Sequence, residues 1–372
     1  MKKILFLTNG HGEDLVAAEL IRRLKGKAGL TALPLVGTGS AFAGLPVEVI
    51  GRRQALPSGG FSLRNFWFLL RDLSSGLLGA THGNLRLLKS LRGQFDLVVA
   101  IGDIVPIIAA LAVRAPLIFV GVNKSDYYRW FGYTYTPWEK WLLKKYAKRI
   151  FVRDQLTADN LNKQGLKAEY LGNPLMDCIA LPLTPHSPSP LIRGKGTGDR
   201  GEAITTTIAL LPGTRADAKL NLEDFEAVIA ELITLKDPDT MFHFTIATKL
   251  PDVPGYMEKQ EFSQLLASAD LVLGLSGTGN EQAAGCGLPV VSFYGRGSQY
   301  DRKFATAQKQ LLGEALCLVK SRDPRYIAAA IWQLLNNPPC LEQMGRTGRE
   351  RLGEPGALGR ISAQLGLELA HG

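Results

Sequence analysis

Residues 270–295 read DLVLGLSGTGNEQAAGCGLPVVSFYG. A short apolar run ends at Leu275, small residues follow at Ser276, Gly277, Thr278 and Gly279, a helical pattern opens at about Asn280, and a second apolar run begins near Pro289. Strand, glycine turn, helix and strand in that order are the repeating unit of a parallel sheet. Small residues at 276–279 bare backbone N–H groups at the mouth of a helix, where aligned peptide dipoles favour an anion. Glu281 and Gln282, in the first turn of that helix, are placed to hydrogen-bond hydroxyl groups at its rim.

The same alternation continues on both sides. Upstream, TTTIALLPG leads into a helix over about 222–236, then MFHFTIAT and a short helix at about 261–268; downstream come ALCLV and two helical patterns. Pro212, Gly213, Thr214 and Arg215 follow the strand segment TIALL that ends at Leu211, with Gly213 allowing close backbone approach and Arg215 able to fork two phosphate oxygens. The first 175 residues repeat the pattern: KILFLT and a helix from Glu13, ALPLVG, PVEVI, FDLVVAIG and a helix from about Ile104, PLIFVGV, a helix near Trp138–Lys148, RIFVRD and AEYLG. Strands rich in Val, Ile and Leu on both faces, separated by helices, indicate parallel sheets covered on both sides. The expected fold is α/β, with two Rossmann-like domains facing a central cleft. Between them, residues 182–203 hold four prolines and then four glycines with almost no apolar periodicity, the composition of a flexible connection or surface insertion.

The chain has 372 residues, 46% hydrophobic and 21% charged, so it can bury two cores. Its net charge of +9 is lopsided, with 24 basic and 13 acidic side chains in residues 1–180 against 19 and 21 in the remainder. The basic residues are interleaved with strands rather than gathered in an arm, which argues against nucleic acid as a partner. The longest apolar stretch, residues 96–122, is broken by Asp103, Pro106, Arg114 and Pro116 and is no membrane span. The start, MKKILFLTNGHGEDL, is too short in apolar residues for a signal-peptide core and reads as a first strand. Cys178, Cys286, Cys317 and Cys340 have neither C-x-x-C spacing nor paired histidines, so neither zinc nor a disulfide framework is expected, and a reducing, cytoplasmic compartment fits. No metal is expected elsewhere.

Gly10 and Gly12 stand at the first strand-to-helix turn, where dinucleotide enzymes place a phosphate loop, but Leu15 occupies the third glycine position. Glu13 and Asp14 there suit the helix dipole and would repel a pyrophosphate. GTGSAFAG at 37–44 misses the spacing too. His11 lines the turn either as a cleft residue or as a polar turn residue. Asp103, at the carboxyl end of its strand, suits a catalytic carboxylate and equally the cap of the helix from Ile104. The run 122–141 packs Asn123, Lys124, Asp126 and Arg129 among aromatics, suiting a sugar or lipid-phosphate site or a mobile loop.

NGHGED at 9–14, FDLVVAIGD at 95–103, AEYLGNPLMD at 168–177, LLPGTR at 210–215 and SGTGNEQAAGCGLPVV at 276–291 occur in the order found in lipid-A-disaccharide synthases. The chain resembles that family, and more closely its synthase-related branch, over nearly everything outside 182–203. These are inverting sugar transferases of GT-B fold. The resemblance implies an N-terminal acceptor domain at 1–175, a nucleotide-sugar domain at 204–350, and a helix in 351–372 returning to the first. It implies a UDP-sugar as substrate with no cofactor, held by Gly213, Thr214, Arg215 and residues 276–282, with ribose at Glu281 or Gln282. Asp103 would be the general base, and Gly10, His11, Gly12, Asn123 and Arg129 would face a lipid-linked or amphipathic acceptor. Three departures stand out: the first loop differs from the family's G-E-A-S-G-D, Gln282 takes the usual place of the ribose glutamate, and Asn173 replaces a histidine. A UDP-sugar 2-epimerase and a non-catalytic nucleotide-sugar binder remain as alternatives. In residues 61–78, Phe66, Leu69, Leu70, Leu73 and Leu77 share one helical face, widened by Trp67 and Phe68 and flanked by Arg64 and Arg71. That pattern suits either a core helix or an anchor on the cytoplasmic membrane face.

Overall fold

The computed structural model describes residues 1–51, 77–128, 133–179, 204–214, 216–297 and 299–371. Most of the amphipathic segment at 61–78, the stretch 182–203, Arg129 and Arg215 lie outside the described residues. The chain forms two compact units, one of Met1–Cys178 with Pro355–Gly372 and the other of Ile179–Glu354.

In the first unit β1 (Lys3–Thr8), α1 (His11–Leu24), β2 (Gly29–Pro34), β3 (Glu48–Val49), α2 (Leu77–Ser90), β4 (Leu97–Ile101), α3 (Ile104–Val113), β5 (Leu117–Val120), α4 (Pro137–Tyr146), β6 (Ala147–Phe151), α5 (Gln155–Lys163) and β7 (Ala168–Glu169) alternate. The seven strands order as β3-β2-β1-β4-β5-β6-β7, with every pairing parallel. Every residue of β4 and β5 is buried, as a sheet covered on both faces requires. The order in which strands are added to the sheet reverses between β1 and β4, the place where open α/β sheets leave a crevice for ligands. Register puts Thr8 beside Ile101 and Ile101 beside Val120, so the loops after these three strands leave the same edge together.

The second unit contains β8 (Ile204–Leu211), α6 (Ala218–Leu235), β9 (Thr240–Ile246), β10 (Met257–Lys259), α7 (Phe262–Ser268), β11 (Leu271–Gly274), α8 (Thr278–Gly285), β12 (Val290–Phe293), α9 (Arg302–Leu312), β13 (Leu316–Val319), α10 (Pro324–Leu335) and α11 (Pro338–Leu352). Its parallel sheet orders as β10-β9-β8-β11-β12-β13. The reversal lies between β8 and β11, where Leu211 pairs with Gly274 and Leu275 N–H donates to the Leu211 carbonyl at 2.9 Å.

Residues 351–354 belong to the second unit, because α11 runs through Leu352 and Arg351 donates to the carbonyls of Gln310 and Leu311. The last helix, α12 (Ala357–His371), belongs to the first unit. Leu358, Ile361 and Leu365 join the same core as Val16, Leu20, Ile21 and Leu24 of α1. Its N-terminus takes its cap from elsewhere in the chain: the Asp177 carboxylate accepts the N–H groups of Gly356 and Leu358. Arg360 donates to the Leu171 carbonyl at 2.7 Å, and Glu368 accepts from Arg149 at 2.9 Å and pairs with Lys148. These two basic partners hold the Glu368 carboxyl below its ordinary range.

An N-terminal cap contributes about 1–2 kcal/mol. Asp177→Ala should therefore lower the stability of the first unit by that amount, read as an earlier urea transition for its fluorescence and dichroism, while the second unit's transition stays in place.

Candidate functional site

Each unit gathers polar groups where its sheet reverses. In the first, β1 runs out at Thr8, and α1 begins two residues beyond Asn9 with Gly10 as an extended N-cap that makes no side-chain capping bond. Negative side chains in the first turn of a helix are ordinary, yet Glu13 and Asp14 are buried, at 5% and 4% exposure. Glu13 folds back over Gly10, where a Cβ would lie 2.6 Å from its Oε2, and accepts the side-chain amide of Asn123 from the loop after β5. Thr8 Oγ1 donates to Asp14 at 2.5 Å.

Gly102, after β4, has φ +129°, and a Cβ there would sit 2.2 Å from Asn9 Oδ1 and 3.3 Å from Glu13 Cγ. Only glycine leaves room for both side chains at that backbone angle. Asp103 caps α3: its Oδ1 accepts Val105 N–H at 2.9 Å and the Asn9 amide at 2.8 Å. Behind these groups Lys124 pairs with Glu139 at 2.6 Å, and Glu139 also closes a capping box with Thr136 at the start of α4. His11 and Asn123 are exposed, and Gly12 and Asp103 are half-buried, so the carboxyl of Glu13 lies just under a surface of residues singled out in the sequence.

Burial pushes the Glu13 carboxyl up from 4.5 to about 7; its own backbone N–H and the Asn123 amide oppose this, and the charges of Asp103 and Asp14 add to it. Burial also raises Asp14 from 3.8 to about 6 against the pull of Thr8. Asp103 is raised by burial too, opposed by the donors Val105 and Asn9 and by the Lys124 charge.

In the second unit the loops after β8 and β11 emerge side by side. Gly213 has φ +86°, in the left-handed region. The 275–279 turn is fixed from beneath. Ser276 Oγ accepts Gly279 N–H at 3.3 Å, and Gln308 of α9 donates to the carbonyls of Ser276 and Gly277 at 3.2 and 2.8 Å. The Asn280 amide reaches the Gly274 carbonyl, Tyr300 and Gln308, and Ser292 donates to Gly274 at 2.6 Å.

Two of the candidate residues have packing roles in this geometry. Asn280, expected to face a ligand, is fully buried and serves to hold the turn. Gly277, expected to make room for a phosphate, would direct a Cβ at the Phe304 ring, 3.2 Å away. Thr278 is exposed and Ser276, Gly277 and Gly279 are half-buried, while Glu281 and Gln282 lie at 8% and 7% exposure in the first turn of α8. Sequence reasoning missed Asn9, the Lys124–Glu139 pair, Tyr300 and Gln308, and treated Glu13 chiefly as a helix-dipole charge. The glycines Gly102 and Gly274 were the available signals, each beside an asparagine that needs their space.

No family model matches the chain, and no curated protein does. Solved structures do. A protein from Listeria monocytogenes described as a UDP-N-acetylglucosamine 2-epimerase superposes with a TM-score of 0.61 at 16% identity, covering 100% of this chain and 98% of its own. The calicheamicin glycosyltransferase CalG4 gives 0.60 at 18%, with 100% and 98% covered. The Neisseria meningitidis UDP-GlcNAc 2-epimerase, determined with UDP-GlcNAc bound, gives 0.57 at 15%, with 100% of both chains covered. This likeness establishes the fold as GT-B, two Rossmann-like α/β domains.

A carboxyl titrating at about 7 when folded and at 4.5 otherwise binds more protons in the folded state between those values. Stability therefore falls as pH rises through that window, by about 3 kcal/mol for Glu13. Urea unfolding of the wild type should show this loss between pH 5 and 7.5, and Glu13→Gln should remove most of it above pH 6.

Proposed function

We propose that the protein is an inverting glycosyltransferase that moves a sugar from a UDP-sugar to a hydroxyl of a lipid-linked or amphipathic acceptor. The observation that carries this reading is the buried Glu13 carboxyl, held at about 7 beside Asp103 at the sheet reversal of the first unit. A general base works best when its pKa lies near the working pH. Asp103 already accepts two hydrogen bonds on one oxygen and is fixed as a helix cap. Glu13 would take the acceptor proton as the hydroxyl attacks the anomeric carbon from the face opposite UDP, with Asp103 supplying the negative charge that helps keep Glu13 basic. Gly279 N–H is already donated to Ser276 Oγ, so the diphosphate would rest on the backbone N–H groups of Gly277 and Thr278, which would meet the charge developing on the leaving group. The family resemblance and the glycosyltransferase among the structural neighbours support the same class. Among the described residues no helix is long and apolar enough to cross a membrane, so a lipid acceptor would be met at a bilayer surface.

A second reading is favoured by the epimerases among the neighbours: inversion of a UDP-sugar at its own ring, with Glu13 working on the donor. Incubation with a UDP-sugar panel, with and without extracted lipid acceptors, separates the two. A transferase releases UDP only with acceptor and yields a glycosylated lipid by mass spectrometry, whereas an epimerase converts the nucleotide sugar alone. Glu13→Gln should lower turnover by about 10²–10⁴. Asp103→Asn removes a negative charge that raises Glu13, so the rising limb of the pH–rate profile should move to lower pH. Thr278→Glu sets a carboxylate on the exposed first position of α8, and calorimetry should show UDP binding weakened at least about tenfold by repulsion. Unchanged UDP affinity in that variant would remove the donor assignment.

A further inference from the structure

The helix α4 has two contrasting faces. Glu139 and Leu143 fill its inner side and are fully buried. Trp138, Trp141 and Lys145, spaced at i, i+3 and i+7, share the outer side. Trp138 is 73% exposed, Trp141 51% and the neighbouring Tyr146 41%. Lys145 Nζ stands 4.9 Å from the centroid of the Trp141 ring and 5.2 Å from that of Tyr146, and the two rings meet edge to face at 6.2 Å.

The charge on this helix is one-sided. Its single acidic residue, Glu139, is buried and engaged by Lys124 and Thr136, which leaves Lys140, Lys144 and Lys145 as the charges carried outside the core. Lys148, just beyond the helix, is committed to Glu368. All of this lies in the half of the chain that carries the positive excess.

Tryptophan and tyrosine are at home at the level of lipid headgroups, where one part of the ring system is apolar and the other wet, and lysine stems can lie along apolar surface while the ammonium stays in water. We propose that the outer face of α4 docks on an anionic lipid bilayer. A nucleic acid fits less well, because stacking of bases needs open ring faces and Lys145 stands over both Trp141 and Tyr146. Docking here goes beyond the transferase reading and stands without it, since neither a UDP-sugar nor a base is involved. It is also distinct from the anchor expected at residues 61–78.

Flotation with phosphatidylcholine vesicles, with and without phosphatidylglycerol, tests the surface on the full-length protein. The wild type should float with the anionic vesicles at low salt and be released at high salt. Lys144→Gln with Lys145→Gln should weaken partitioning about 25-fold, at about fivefold for each basic residue near a charged surface. Trp138→Ser with Trp141→Ser should remove flotation while leaving the melting temperature unchanged, as expected for side chains this exposed. A wild type that ignores anionic vesicles at low salt overturns the proposal. So does flotation that survives both α4 pairs but is lost in Trp67→Glu with Phe68→Glu, and so does RNA binding that the lysine pair abolishes while vesicle binding is intact.

Discussion

Each unit depends on a glycine at the carboxyl end of the strand just past its sheet reversal. Gly102 follows β4 and Gly274 ends β11, and in both places an added Cβ would collide with an asparagine side chain, Asn9 in the first unit and Asn280 in the second. A parallel sheet buried on both faces can offer ligand chemistry only at its edge, so whatever occupies that edge decides what the unit can do. The two asparagines use the same opening differently. Asn9 ties the first strand's loop to Asp103 and leaves room for a buried carboxyl, whereas Asn280 ties a helix start to its own strand and so fixes a turn of backbone donors.

Burying Glu13 and Asp14 works against folding at neutral pH, because desolvation favours their protonated forms. The surrounding scaffold tolerates this because its strands and helices contribute a large apolar core on both sides of the sheet. Strained electrostatics at a sheet edge, inside an otherwise consistent fold, is where local stability rules and function part company.

Much of the fold was legible because buried parallel strands announce themselves as short runs of Val, Ile and Leu. KILFLT, DLVVAI, PLIFV, TIALL, DLVLG and PVVSF all become strands. The helix Arg302–Leu312 was not legible: RKFATAQKQLL is mostly polar, and what makes it part of the unit is the buried face of Ala305, Ala307, Leu311 and Leu312 together with Gln308 reaching under the glycine turn. The three-residue β10 is too short to carry periodicity. Within the first unit's site, Asp103 was visible from its place after a strand, but Glu13 is raised chiefly by burial, among neighbours distant in sequence such as Gly102 and Asn123, the latter 110 positions away. Local spacing cannot report such contacts. The sequence ranked Asn280 as a ligand contact for the same reason: a glycine turn shows that a helix start is bare without showing which way its third residue points.

The place of α12 has a temporal consequence. The row of Val16, Leu20, Ile21 and Leu24 on α1 is covered by Leu358, Ile361 and Leu365, and the helix bearing them is capped by Asp177. During synthesis the first unit is nearly all made before the second begins, yet its apolar flank stays open until residues 355–371 have left the ribosome. The order in which the units complete is then inverted relative to the usual N-terminal-first sequence: the second unit, continuous in the chain, can close while the first still waits for its final helix. A chaperone that shields apolar helix faces would find its target on α1, and would find it for as long as the second unit takes to be translated.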